Sequence, residues 1–455
     1  MTPRFLPRSL SLPLCGALLL AFASPAATWA ADAGQIARDD RIEQLEKQVQ
    51  ILADELSRVR TQVAVPEQAE LATAYGFGPA ASKIYGIERG LSIGGYGEYN
   101  YTNLVNDEGG NLDRADALRT VLYFGYKFSE SIVFNSEIEF EHGSTEDPRN
   151  GEEAGAASVE LASLDFFHSP ALNFRAGLLL APMGFVNEVH EPPFFYGVQR
   201  PEVERRIIPS TWRNLGAGIF GQLGENFEYR AYVMTGFNGS RFSDAGFRSA
   251  RQAGNHALAE DLAIVVRGDY TCDCVPGLQL GASLYVGEVD QDTGDTLIDT
   301  GAPTADGRSI ADARLTMAEG HVQYRSGPWS TRMLAAYTHL GNAADFNASL
   351  GRPATAPIAE DMFGAYAEVA YDVWPHLFGD GERSLEPFVR LEYVDTQFDV
   401  PSGFTANRNR TYWVRTGGVN YHPHPNVVLK LEYRDMDARR GTRPDELALG
   451  VGFAF

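Results

Sequence analysis

Cysteine is scarce: the 455 residues hold three, Cys15, Cys272 and Cys274. Cys15 lies in a leading segment with Arg4 and Arg8 at its start, an apolar run from about Leu10 to Ala23, and the small-residue end Thr28-Trp29-Ala30. That order is the pattern of a secretory signal cut after Ala30, so residues 1–30 are expected to leave the mature chain. The two remaining cysteines are too few for a disulfide framework. Within Cys-Asp-Cys at 272–274 a local bridge is the expectation.

Long apolar runs are missing too. Past the leader no stretch of eighteen apolar residues occurs, which excludes a transmembrane helix and leaves a barrel as the only way to span a membrane. Lysine appears four times, and the formal net charge is −22. Such a chain lacks the basic face that nucleic acid requires. There is no Gly-x-Ser-x-Gly, and no histidine has a neighbouring Ser or Asp that marks it for hydrolysis. The chain is therefore expected not to be an enzyme and to need no cofactor.

Three motifs imitate chemistry. GAGIFG (216–221) fits a dinucleotide fingerprint, but no helix follows to receive a phosphate. His422 and His424 in YHPHPN have no third ligand, and DQDTGDTLID lacks the glycine of a calcium loop. No metal site is expected.

What the chain does have is periodicity. Ile42, Leu45, Val49, Leu52, Leu56, Val59 and Val63 alternate spacings of three and four, a heptad seam. Residues 36–64 are read as a coiled-coil oligomerisation helix, with Arg41–Glu46 and Glu55–Arg60 as charge pairs across a parallel partner. The seam suits a dimer as well as a trimer. Pro66 ends the helix, and residues 65–90, rich in small residues and containing GFGP, are read as a periplasmic linker.

From Leu91 the period becomes two, as in Leu278, Leu280, Ala282, Leu284 and Val286. Strands are expected to start near 91, 117, 132, 157, 173, 213, 227, 262, 278, 313, 330, 362, 385, 410, 427 and 446. Connections after strands two, four, six, eight, ten and fourteen are short, and those after odd strands mostly long and acidic. The fold class is therefore all-β: a 16-stranded antiparallel transmembrane β-barrel over 91–455, behind an N-terminal α-helical coiled-coil segment.

If the apolar parity faces outward, the other parity lines the lumen. The inward basic set is Arg119, Lys127, Arg175, Arg230, Arg267, Arg390, Lys430 and Arg434. The inward acidic set includes Glu98, Glu137, Glu139, Glu141, Asp269, Glu368, Asp372, Glu392 and Glu432. Strands near 157, 313, 330 and 410 have mixed parity, consistent with bulges; Arg325, Arg332 and Arg415 stay unassigned.

One connection breaks the pattern. HEPPFFYGVQRPEVERRIIPSTWR (190–213) carries Pro192, Pro193, Pro201 and Pro209, which prevent regular structure, and Phe194, Phe195, Tyr196 and Trp212, which bury. Its charges, with Glu188 just before, are Glu188, His190, Glu191, Arg200, Glu202, Glu204, Arg205, Arg206 and Arg213, divided between anchors and pore.

With SKIYGIERGLSIGGYGEY, NFRAGLLLAPMGFVNEVHEPP and RPEVERRIIPSTWRNLGAGIFG, the chain resembles the phosphate-selective porin O and P family of bacterial outer-membrane porins, in particular members with an N-terminal coiled coil. The closing ELALGVGFAF resembles the signal read by the barrel assembly machinery. The resemblance implies a sixteen-stranded barrel, a homotrimer, and a third outer loop (183–212) folded into the lumen. It implies as partners the chain itself, outer-membrane lipid and lipopolysaccharide, and small polar or anionic solutes. The expected function is a passive outer-membrane channel for small hydrophilic solutes with a lean to anions, phosphate or small organic acids. The alternatives are an envelope tether or surface receptor with a closed pore, and an outer-membrane barrel hydrolase.

Overall fold

The computed structural model describes residues 41, 44–55, 71–105, 113–148, 154–291 and 310–455. The expected signal peptide and the rest of the expected coiled coil lie outside the described residues. The chain divides into two units, 1–60 and 61–455. In the first, residues 44–55 form a helix (α1) on which the seam residues Leu45, Val49 and Leu52 are exposed.

The second unit is a closed antiparallel barrel. Its strands are β1 (Gly90–Leu104), β2 (Arg114–Ser129), β3 (Ile132–Glu141), β4 (Ala157–Ser169), β5 (Leu172–Leu180), β6 (Arg213–Leu223), β7 (Phe227–Thr235) and β8 (Leu262–Thr271). They continue as β9 (Leu278–Glu288), β10 (Arg314–Ser326), β11 (Trp329–Leu340), β12 (Asp361–Tyr371), β13 (Ser384–Asp399), β14 (Thr411–His424), β15 (Val427–Ala438) and β16 (Glu446–Ala454). Each pairs with its sequence neighbours, and β16 returns to β1. The seam ends where Phe455 and Gly95 exchange backbone hydrogen bonds at 2.9 and 3.0 Å.

The alternation has an inverted sense. Leu280, Leu284, Ile264, Leu429, Leu449 and Val451 are exposed on the outside, while Arg175, Glu137, Arg390, Glu432 and Arg434 are buried inside. Exposed apolar side chains in a closed ring leave no core between sheets; the buried volume is the lumen itself. Arg332 joins the inward set, whereas Arg415 faces outward and pairs with Asp435 at 2.7 Å.

The lumen is filled by three segments. The first corrects the linker reading over 71–90: Phe77, Ala80, Ala81 and Ile84 are buried, and a short 3-10 helix, Ala81–Gly86, packs on β1, β2 and β3. Small residues and glycine made the stretch look extended, yet they also let backbone pack closely against a wall. The second segment is the β5–β6 connection. The third is the β7–β8 connection, whose Phe237, Phe242 and Phe247 join Trp212, Ile207 and Met183 in one apolar cluster. At the β8–β9 turn Cys272 and Cys274 are disulfide-bonded.

Candidate functional site

The β5–β6 connection enters the barrel because its backbone, interrupted by five prolines, finds hydrogen-bond partners on the wall instead of in a sheet. Buried backbone groups must be paired, and inward charges do the pairing. At the entrance Asn187 clamps both ends of the loop: its Nδ2 donates to the carbonyls of Ala181 (2.6 Å) and Trp212 (3.0 Å), and its Oδ1 accepts from the Trp212 amide (2.5 Å).

The first half of the loop leans on two wall arginines and the plug. Glu188 lies 3.3 Å from Arg230 and 3.6 Å from Arg267, and both arginines share Asp269. Glu191 accepts from the amides of Ala80 and Ala81 at 3.0 and 3.2 Å, closing the start of the 3-10 helix. Burial pushes its carboxyl up to about 8 despite those two donors. Arg332 donates to the Phe194 carbonyl at 3.0 Å.

The second half meets β12 to β16. Lys430 donates to the carbonyls of Phe195 (3.0 Å) and Gly197 (2.7 Å), and Glu432 accepts from the amides of Val198 and Gln199, both at 2.9 Å. Arg390 pairs with Glu368 (2.9 Å) and Glu392 (3.0 Å) and donates to the carbonyls of Tyr196 and Gln199. After Pro201 a single helical turn, α2 (Glu202–Arg206), follows. Glu202 gathers Arg206 (3.0 Å), Arg434 (3.3 Å), Arg205 (3.4 Å) and the Tyr412 hydroxyl (2.9 Å). Burial works against this carboxylate, but Arg205, Arg434 and Arg206 together hold it far below the usual carboxylate range. Glu204 accepts from the Val186 amide (2.7 Å) and the Tyr366 hydroxyl (2.6 Å).

The remaining candidates from the sequence are also engaged. Arg175 forks onto Asp165 (2.7 and 2.8 Å) beneath the rings of Phe77 and Phe220. Arg119 reaches Glu98 (3.2 Å) and Glu139 (3.4 Å), Lys127 reaches the Ile87 carbonyl (2.8 Å), and Arg213 pairs with Glu160 (2.5 Å). Most of these candidates thus bond loop, plug or backbone to wall, so anchorage is their first structural role.

Two residues that strand parity could not supply complete the picture. Arg248 and Arg251 come from the β7–β8 connection, where no periodicity marks them; the only signal is Arg-Ser-Ala-Arg at 248–251. Arg251 donates to the carbonyls of Pro209 and Thr211 at the loop's far end. Burial, and then the nearby Arg251, Arg205, Arg200 and Arg119, push the Arg248 guanidinium down to about 8. Among the described residues Arg200 and Arg248 form no ion pair. Arg200 Nε and Nη2 and Arg248 Nη1 are buried without a protein acceptor. Guanidinium groups keep their protons near neutrality, so this crowded set offers open, charge-assisted donors to an anion.

On the plug side a cavity of ≈ 460 Å³ is lined by Tyr75, Glu188, Arg230, Arg267, Arg325 and Arg332, among others. A second, of ≈ 540 Å³, shares Tyr75 and Arg230 with it.

No family model matches the chain. Among solved structures it is similar to the outer membrane channel DcaP of Acinetobacter baumannii: 13% identity, TM-score 0.51, covering 80% of this chain and 97% of that one. It is also similar to OmpF of Salmonella typhi in complex with daunomycin: 13% identity, TM-score 0.50, covering 81% and 98%. A third is a loop L8 deletion mutant of OmpT, an outer membrane protein of Vibrio cholerae: 11% identity, TM-score 0.50, covering 81% and 100%. At these identities the likeness establishes the fold alone. By sequence, an uncharacterized protein of Aquifex aeolicus is 35% identical over 384 residues, 83% of this chain and 82% of that protein. The chain therefore belongs to one family with that Aquifex aeolicus protein.

Proposed function

We propose that the protein is an outer-membrane diffusion channel for small hydrophilic solutes with a preference for anions. The observation that carries this reading is the inverted alternation of a closed barrel: apolar side chains on the outside at strand spacing, charged ones within. Such a surface is stable in lipid and costly in water. The anion preference rests on Arg200 and Arg248, whose open donors stand beside Arg205 and Arg251 where two inward loops meet.

The finer identity belongs to the same proposal. The blocks NFRAGLLLAPMGFVNEVHEPP and RPEVERRIIPSTWR support membership of the porin O and P family and, through that resemblance, a homotrimer; the exposed seam on α1 supports self-assembly through a periplasmic coiled coil. A second reading has its own support: the plug and the two inward loops occupy so much of the lumen that a closed tether or receptor also fits. Planar-bilayer recording of the purified full-length protein separates the two. The channel reading expects discrete conductance steps and a reversal potential of anion sign under a salt gradient. Absence of conductance from an intact oligomer favours the closed barrel, and a cation-sign potential removes the anion preference.

A further inference from the structure

The bulge in β4 points to a site of a different kind. Glu137 pairs with Leu161 and Ile138 with Val159, so Glu160 is the extra residue. A bulge re-aims side chains; here Glu160 and Leu161, adjacent in sequence, are both buried on the lumen side at 1% exposure. Glu160 is thereby brought beside Glu137 of β3, opposite His190 of the inward loop.

His190 is oriented as a ligand would be. Its Nδ1 lies 3.2 Å from the Asn187 carbonyl oxygen, which only accepts, so Nδ1 carries a proton. In the neutral ring the lone pair then sits on Nε2, 3.2 Å from Glu137 Oε1 and 3.7 Å from Glu160 Oε2. A ring nitrogen held by a backbone carbonyl is the usual support of a metal-bound histidine. Glu160 Oε1 is taken by Arg213, while Glu160 Oε2 is buried with no hydrogen-bond partner. Glu137 Oε1 is oriented by the hydroxyls of Tyr96 (3.3 Å) and Tyr123 (3.4 Å).

We propose that His190 Nε2, Glu137 and Glu160 bind a divalent transition-metal ion, zinc by donor type, which fastens the inward loop to β3 and β4. The three ligand atoms lie within 4.8 Å of one another. Tetrahedral zinc with bonds of about 2.0–2.2 Å spaces its ligands roughly 3.3–3.5 Å apart, so only small side-chain shifts are needed. One imidazole and two carboxylates suit zinc better than calcium or magnesium, which take six or more oxygens or keep their water.

The proposal stands apart from the channel reading. Full-length protein in detergent, stripped with chelator and equilibrated with Co²⁺ as the probe, is expected to retain one ion per chain after desalting, by elemental analysis. It should show visible d–d absorption that Zn²⁺ abolishes. H190Q and E160Q, each checked for heat-modifiable migration as a folded barrel, are expected to bind weaker by on the order of tenfold or more. H339Q, an exposed histidine on β11, should leave the stoichiometry unchanged. If H190Q does not fold, E160Q alone decides. Failure of the wild type to retain cobalt, or equal retention by E160Q, overturns the site and leaves His190 a structural contact between β3, β4 and the loop.

Discussion

Around Glu432 and around Arg248 the loop meets charge in opposite ways. Near Glu432 the wall supplies Lys430, Glu432, Arg390, Glu392 and Glu368, and each finds a backbone group or counter-charge. Near Arg248, guanidinium groups crowd together and some donors stay open. The same residue type thus stands in two settings, set apart by the number of acceptors within reach. A buried charge with all its partners in place holds structure; one short of partners keeps a donor open, which under the proposed reading a solute anion fills.

Removing a fully matched group should have the largest effect. Arg390→Met strands Glu368 and Glu392 and frees two loop carbonyls, a loss on the order of 3–5 kcal/mol for a broken buried pair. The expected readouts are a larger conductance and protease cutting within 195–206; unchanged recordings would remove the anchoring role. Next in size, the double change Arg200→Gln and Arg248→Gln should lower the anion-to-cation permeability ratio roughly several-fold with thermal stability retained. A ratio that does not move would class these arginines with the anchors.

The sequence rendered the barrel well, with every strand start within three residues of its observed position, because a half-buried strand has period two and each run stops where that period stops. It rendered contacts between distant loops poorly. Val159-Glu160-Leu161 signals the bulge as a break in parity, without saying which side chain turns inward. Residues 71–90 looked like a linker because a plug needs the same small residues. Arg248 became relevant only once the β7–β8 connection folded onto Pro209 and Thr211, a placement with no local signature.

A smaller effect concerns pH. The Glu191 carboxyl is raised to about 8 by burial, so its protonated form favours the folded state. That stabilisation is complete below the ordinary carboxylate range and is lost as pH rises through 8, by at most a few kcal/mol. Melting should fall progressively from about pH 5 to 8 in the wild type, level off above 8, and lose this slope in E191Q; identical profiles would assign the fall elsewhere. The smallest change is Arg205→Gln. Its side chain is 45% exposed and meets Glu202 at 3.4 Å, so stability should shift by no more than about 1 kcal/mol. Reversal potential should move slightly toward cations.

The seam between Phe455 and Gly95 also bears on how the ring closes. The plug residues precede β1 in the chain, and the ring closes by pairing β1 with β16, the two strands of the barrel furthest apart in sequence. Edges so far apart in sequence meet slowly, so this pairing is the most costly one in the ring to find. A chain lacking β16 would keep an open edge on β1, free to pair with a second copy.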